Sequence, residues 1–303
     1  MKRLLIIIAI VFSAIVSAET AHTTKKIYIV LSSGDAIYYN IAESLENTLS
    51  DSLSVPYNID IVTLESGNIK AIKPTDLLVP VGAKAVEQIY RYQASNTIIY
   101  SFVEQELIRK LNPTKFSNTW AAVTVNQPIE RLIKVADKLV KTAYKNNIVI
   151  IVSTNNRKLV DKINAINSLQ NGQIDIVTTR ANDVVNKRVE KSLFNAAALI
   201  STDEEAIWSG SNAKWLLRQA YNYQVPVVGN SKRFLKAGAL ISVYSSMEKI
   251  SHATVNLIKQ WTETGGLVDT GIHYVPSTID INKSIAHALH YNIKELNAIK
   301  VQE

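Results

Sequence analysis

Short apolar runs alternate along the chain with longer segments whose apolar residues recur at helical spacing. The run Ile27–Leu31 is followed by Ala36–Leu53, in which apolar side chains recur every four positions. Strands that are apolar throughout are buried on both faces, and their alternation with amphipathic helices is typical of parallel sheets covered on both sides. The pattern therefore predicts an α/β protein.

The alternation occurs twice, with an interruption at Asn112–Gln127, so we expect two doubly wound parallel-sheet lobes. The predicted strands of the two series are 27–31, 59–64, 77–81 and 97–102, then 148–152, 174–178, 197–201 and 225–228. The predicted helices are 36–53 and 83–92, then 128–144, 157–169 and 213–221.

The end of the chain adds a strand at 239–244, a helix at 247–261, a strand at 271–275 and a helix at 282–290. A tail that follows two complete series indicates that the chain crosses between the lobes again. We therefore assign residues 25–121 and 245–266 to an N-terminal lobe, and residues 122–244 and 267–303 to a C-terminal lobe. The helix Met247–Trp261 is expected near the first strand.

The first 18 residues have the layout of a secretory signal peptide. Lys2 and Arg3 precede the apolar run Leu4–Val16, and Val16-Ser17-Ala18 supplies small residues for cleavage. A membrane anchor is the alternative, but spanning a bilayer takes about 20 apolar residues. We expect an exported, periplasmic protein that is cleaved after Ala18, is not stably inserted in a membrane and is a monomer.

The chain contains no cysteine. A covalent lipid anchor requires a cysteine directly after the cleavage point, where this chain has Glu19, so the mature protein is expected to lack one. Disulfides, thiolate metal sites and cysteine nucleophiles are excluded as well.

Charge and motifs narrow the function classes further. The net charge is +7, or +5 without Lys2 and Arg3, but the bases are scattered and lack the interleaved aromatic residues of a nucleic-acid surface. The common signatures of hydrolases, nucleotide-binding loops and zinc proteases do not occur. His287 and His290 are three residues apart on a predicted helix, which suits solvated histidines better than a metal site. We expect no enzyme activity, no cofactor, no metal and no nucleic-acid partner.

Polar and small residues follow the predicted strands at their carboxyl ends, where open α/β sheets bind ligands. The alternative is that each of them only caps the next helix. Their occurrence in both series favours a shared ligand site. The candidate ligand-binding residues are Ser32, Ser33, Gly82, Ala83, Ser101 and Phe102 in the first series, and Thr154, Asn155, Asp203 and Asn230 in the second.

Several segments resemble the substrate-binding proteins of ABC importers, in the type I periplasmic-binding-protein branch that includes binders of aromatic and apolar amino acids. Asp76–Ala83 is similar to the family pattern D-L-I-V-A-I-G-T/A, and Ser201-Thr202-Asp203 is similar to P-T-D-N. Val225–Gly229 with Lys236–Ala239 resembles I-P-V-F followed by K-A-G-A-L, and Asp280–Leu289 resembles I-N-x-x-T-A-x-x-L-G.

The resemblance implies two lobes joined by three crossovers, with a small-molecule ligand enclosed between them. It implies capture of a solute, an amino acid being one candidate, for an ABC permease. The alternative is a regulatory module that acts on the periplasmic domain of a sensor or receptor. Asp203 is the expected partner of a ligand amino group. The chain departs from the family pattern at Ser101–Glu104, at Ser153–Asn156, at Glu204 in place of asparagine, and at His290 in place of the closing glycine.

Overall fold

The computed structural model describes residues 25–52, 58–66, 69, 72–92, 95–113, 119–140, 145–166 and 172–301. The predicted signal peptide, 1–18, lies outside the described residues, as do the last residues of the helices predicted at 128–144 and 157–169.

Twelve strands form two six-stranded sheets in the described chain. The first sheet has the order β11-β5-β4-β3-β1-β2 and the second the order β12-β10-β9-β8-β6-β7. The strands are β1 (Lys26–Leu31), β2 (Asn58–Thr63), β3 (Leu77–Val81), β4 (Thr97–Val103), β5 (Trp120–Thr124), β6 (Asn147–Ser153), β7 (Gln173–Thr179), β8 (Ala196–Ile200), β9 (Val227–Gly229), β10 (Ile241–Tyr244), β11 (Gly271–His273) and β12 (Thr278–Ile281).

The α-helices cover both faces of each sheet. They are α1 (Ala36–Ser52), α2 (Ala83–Arg91), α3 (Gln105–Leu111), α4 (Ile129–Asp137), α5 (Arg157–Asn164), α6 (Lys187–Phe194), α7 (Glu205–Trp208), α8 (Gly210–Asn222), α9 (Lys232–Ala237), α10 (Met247–Thr264), α11 (Lys283–Ala288) and α12 (Ile293–Val301). Every described strand pair is parallel except β10 with β12. The predicted fold class, two doubly wound and mostly parallel sheets, is confirmed.

The buried strands explain why this fold forms. β3, β5 and β8 are buried along their whole length, as the apolar runs predict. Each sheet has a separate apolar cluster on each of its two faces. Such double-faced burial requires helices on both sides of the sheet.

Helix α10 packs in the first lobe, although it follows the last parallel strand of the second. It contacts α1, β4 and β5. Ser251 Oγ accepts a hydrogen bond from Ser44 Oγ at 2.9 Å, and the Thr254 and Ser101 hydroxyls lie 2.7 Å apart.

Two lobe boundaries differ from the expected ones. Residues 122–124 belong to β5 in the first sheet, and Gly271 pairs with Ala121 so that β11 also joins this sheet. The chain therefore leaves the first lobe after Thr124 and after His273, not after residues 121 and 266. The physical reason is that β5 is wholly buried and β11 covers its outer edge.

Some elements were missed or given different bounds. The interruption predicted at Asn112–Gln127 contains β5, and the short elements α3, α6, α7, α9, α12 and β12 were not predicted. Helix α4 ends at Asp137 rather than at residue 144. The buried Asp137 carboxylate there accepts a hydrogen bond from the Gly172 N–H at 2.7 Å, and the Leu139 N–H bonds to the Ala136 carbonyl in a tighter turn.

Three crossings join the lobes: residues 125–128, 245–246 and 274–277. The buried Gln127 side-chain nitrogen donates to Ser245 Oγ at 2.8 Å and to the Val275 carbonyl at 3.2 Å. Arg131 Nη1 donates to the same carbonyl at 2.6 Å and also to Gln127 Oε1. One residue of the first crossing thus links all three.

Candidate functional site

The candidate site is the gap between the carboxyl ends of the strands of the two sheets. In open α/β sheets these ends carry the helix N-termini and loops that hold ligands. Here β1, β3 and β4 end in the first lobe and β6, β8 and β9 end in the second, and Glu104 after β4 is near enough to Asp203 after β8 for their charges to interact.

In the first lobe, Ser32 is buried and its hydroxyl is used internally. It donates to the Val81 carbonyl at 2.8 Å and accepts from the Ala85 N–H at 2.9 Å. It therefore fixes the end of β1 to β3 and to the first turn of α2. Ser33 is half-buried, and its hydroxyl donates to Asp35 Oδ2 at 2.6 Å.

Gly82 cannot be replaced by a larger residue without movement. Its φ is +83°, and a Cβ there would lie 2.6 Å from the Tyr38 ring and 2.8 Å from Ser32 Oγ. Tyr38 therefore packs directly on the strand-to-helix turn. Ala83, the first residue of α2, is exposed, and the N-cap residue Gly82 has no side chain to cap the helix, whose Ala85 N–H is bonded to Ser32 Oγ instead.

Two predicted residues at the end of β4 have different environments. Ser101 is fully buried and bonded to Thr254, so it is not available to a ligand in the gap, contrary to expectation. β4 is a central strand of its sheet, so Ser101 lies among apolar residues. Its hydroxyl is hydrogen-bonded to the Thr254 hydroxyl of α10. Phe102 is half-buried at a register shift of β4 and has a φ of +53°, a value uncommon for a non-glycine residue.

The second lobe repeats the arrangement found at Ser32. Ser201 is buried, and its hydroxyl accepts from the Asn230 N–H at 2.9 Å and donates to Asn230 Oδ1 at 3.2 Å. The half-buried Asn230 thereby has its amide oxygen engaged. Thr154 and Asn155 are exposed at the end of β6.

Asp203 is exposed and does not cap the helix that follows it. Within the described chain its carboxylate has no hydrogen bond or ion pair, and α7 has no side-chain cap. The nearby turn is closed instead by Thr202 Oγ1, which accepts from the Glu204 N–H at 3.4 Å. The carboxylate of Asp203 is therefore available for a partner.

Glu204 has a structural role in the loop. Its carboxylate accepts hydrogen bonds from the Ser153 N–H at 2.7 Å and from the Asn156 side-chain nitrogen. Burial raises the pKa of Glu204, and these two hydrogen bonds oppose that shift. Glu204 thus ties the end of β8 to the start of α5.

Carboxylates of the two lobes lie close enough for their charges to interact. The pKa of Glu104, in the first lobe, is raised by burial and then by the negative charges of Asp203 and Glu205 in the second. Arg233 and Lys110 act in the opposite direction. Sequence reasoning placed Glu104 after β4 but did not include it or Glu205 among the ligand-binding residues.

The third crossing contributes Tyr274 to the same region. Its hydroxyl contacts the side-chain amide of Gln105, which also contacts the Arg109 guanidinium. Burial raises the pKa of Tyr274, Arg109 lowers it, and Asp203 is among the carboxylates that raise it. Tyr274 and Arg109 were not predicted as site residues because the sequence gives no signal that the two segments meet.

The described residues contain no group of three histidine, cysteine or acidic side chains placed to hold a metal ion. His287 lies in the last turn of α11, whereas His290 lies two residues beyond the end of that helix, in left-handed backbone at φ +56°. A search of the described helices for one long and apolar enough to span a bilayer found none.

The sequence matches no protein-family model and no curated protein sequence. Solved structures do match. The ligand-free, open structure of CD0873, a substrate-binding protein with adhesive properties from Clostridium difficile, has a TM-score of 0.67 at 15% identity, over 88% of this chain and 95% of that one. The chain has the fold of a substrate-binding protein. The resemblance seen in the sequence is thus confirmed at the level of the fold.

Two further structures share this fold. An ABC domain from Streptococcus pneumonia in complex with L-Trp has a TM-score of 0.57 at 14% identity, over 89% of this chain and 96% of that one. A conserved domain protein from Vibrio cholerae has a TM-score of 0.55 at 15% identity, over 91% and 98%.

Proposed function

We propose that the protein is an exported solute-binding protein that captures a small molecule carrying a positively charged amino group between its two lobes. The observation that carries the proposal is that Glu104 and Asp203 stand in different lobes, close enough for the charge on Asp203 to raise the pKa of Glu104. The exposed carboxylate of Asp203 has no partner within the described chain.

Neighbouring carboxylates of the two lobes give the ligand a direct role in closure. Like charges oppose the approach of the lobes, and a cationic group between them replaces repulsion with attraction. A ligand favours the closed form only by interacting more strongly with it than with the open form. An ammonium group in contact with both lobes meets that requirement.

The first lobe supplies complementary groups for the rest of such a ligand. The Ala85 N–H of α2 is already bonded to Ser32 Oγ, but the Ala83 and Lys84 N–H groups have no intrahelical partner, and they favour a carboxylate there. Tyr38 and the half-buried Phe102 lie at the same strand ends and offer apolar surface. An α-amino acid with an apolar side chain combines all three features.

In this proposal the mature protein starts at Glu19, lies in the periplasm without a lipid anchor and presents the closed form to an ABC permease. The signal-like segment 1–18, the absence of cysteine and the two-lobed fold support it. Neighbouring genes for a permease and an ATPase would support import. Neighbouring genes for a sensor kinase or receptor would support regulation instead.

The experiment is a thermal-shift screen of the L-amino acids and simple primary amines, followed by calorimetry. L-Tryptophan, which binds the Streptococcus structure, is compared with indole-3-propionate, which lacks the amino group, and each amino acid that binds is compared with its own desamino analogue. We expect stabilisation by at least one amino acid and at least tenfold weaker binding of its analogue. Equal binding of the analogue, or stabilisation by no amine, would contradict the proposal.

A further inference from the structure

A second cavity lies beside the hinge, where α3 of the first lobe approaches α5 of the second. Its volume is about 460 Å³, which is within the range of small-molecule sites. Both lobes contribute to its lining, so a molecule in it would contact the two lobes at once.

The floor of this cavity is apolar and belongs to the first lobe. Ile108, Trp120 and Ile272 line it, and all three pack in the core on this face of the sheet. The Trp120 ring meets Tyr100 edge to face, with 6.3 Å between ring centroids. The floor is therefore formed by side chains that the core already holds in place.

The rim of the cavity is basic and comes from both lobes. Lys158 and Lys162 are one turn apart on α5, and Arg109 is on α3. Lys162 Nζ lies 3.0 Å from Glu130, while Arg109 contacts the uncharged Gln105 amide. Within the described chain, neither Arg109 nor Lys158 has a carboxylate at ion-pair distance.

We propose that this cavity is a second ligand site, which takes an organic anion with a flat apolar body. The apolar floor fits the body, and the three bases of the rim fit a carboxylate or phosphate group. The unpaired group at the gap is the Asp203 carboxylate, although Arg233 and Lys110 also lie near Glu104 there, so the two sites offer charges of opposite sign to a ligand. Because Arg109 and the lysines belong to different lobes, occupancy also favours the lobe arrangement in which α3 and α5 are close.

The test uses calorimetry on the mature protein with naphthalene-1-carboxylate as the probe. The neutral naphthalene-1-carboxamide has almost the same shape and is the matched control ligand. We expect the carboxylate to bind and the carboxamide to bind roughly tenfold more weakly or not at all. Lys158→Gln should weaken carboxylate binding roughly tenfold, whereas Lys214→Gln, on the exposed face of α8, should leave it unchanged.

Three results would overturn the proposal: no binding of the carboxylate, equal binding of the two probes, or equal affinity in Lys158→Gln and the unsubstituted protein. Asp203→Asn separates this site from the gap. Unchanged carboxylate affinity in Asp203→Asn supports a distinct cavity. Tighter carboxylate binding in this variant, which has lost a repelling negative charge, would place the probe beside Asp203 in the gap and refute the assignment. The result does not depend on whether an amine binds at Asp203.

Discussion

The side-chain nitrogen of Gln127 lies 3.2 Å from the carbonyl oxygen of Val275, a hydrogen bond that joins the first crossing between the lobes to the third. The same nitrogen lies 2.8 Å from Ser245 Oγ in the second crossing. A single buried amide thereby fixes the relative positions of the three segments about which the lobes must rotate.

The substitution Gln127→Leu keeps the side-chain volume but removes these bonds. It leaves buried polar groups of the crossings without a partner, and we expect a loss of roughly 1–3 kcal/mol in the free energy of unfolding. Urea denaturation measures it. The control Gln173→Leu, at the exposed start of β7, should change stability little, and an equal loss in both variants would remove the special role of Gln127.

Asp203→Asn tests whether the unpaired carboxylate recognises a cation. Asp203 does not cap α7, and asparagine has nearly the same shape as aspartate but lacks the charge. We expect unchanged stability and a loss of roughly 1.5–3 kcal/mol in binding of the amine, or about ten- to a hundredfold in affinity. Calorimetry with the amine found by screening decides, with Glu190→Gln on α6 as the control. Unchanged affinity would exclude Asp203 from the site.

The raised pKa of Glu104 predicts a specific pH dependence of stability. The folded protein holds this proton to higher pH than the unfolded chain, so its stability falls as pH rises from the ordinary glutamate value of 4.5 through the raised pKa. Because glutamine has no titratable proton, Glu104→Gln removes this fall in stability with rising pH. We expect the variant to be more stable than the unsubstituted protein at pH 7 and equally stable at about pH 4, measured by thermal melts. The control Glu46→Gln, exposed on α1, should show no such gain, and a Glu104→Gln gain independent of pH would contradict the charge explanation.

His290 occupies left-handed backbone, φ +56°, at the end of α11, at the position where the resembled sequence pattern has glycine. A residue with a Cβ is strained there by roughly 1 kcal/mol, and glycine is not. We expect His290→Gly to raise stability by up to about 1 kcal/mol. His287→Gly, in the exposed interior of the same helix, should lower it by about 1 kcal/mol. Destabilisation by both variants would show that the His290 side chain makes a compensating contact.

The fold was largely predictable because its strands are buried on both faces. Such strands appear in the sequence as unbroken apolar runs, as in Ile27–Leu31 and Ile148–Val152. These runs identify buried strands without any knowledge of the tertiary structure. A strand was expected at the position of β11, but its lobe could not be predicted, because three residues are too few to show a periodicity. Gly271–His273 joins the first lobe because its backbone pairs with the outer edge of β5, and the sequence of these three residues does not reveal that pairing.

The sequence indicated which candidate residues follow strands but not what each of them contacts. The strand-end rule placed Ser32 directly after β1 and Asp203 in the loop after β8, but it could not tell a hydroxyl that is satisfied internally from a carboxylate that is free. That distinction depends on partners such as Ala85 and Asn230, which lie far away in sequence. The proximity of Glu104 to Asp203 depends on how the two lobes are placed relative to each other, and no local sequence pattern contains that information.

If the two lobes close on a cationic ligand, the distance between a position in one lobe and a position in the other becomes shorter, and this distance can be measured. The native chain has no cysteine, so Glu46→Cys on α1 and Lys214→Cys on α8 accept spin labels at two positions only. Pulsed electron resonance then gives the distance distribution without and with the amine found by screening. We expect the distance distribution to shorten on binding in the labelled protein but not when Asp203→Asn is added at the same amine concentration. An unchanged distribution at saturating amine would contradict it.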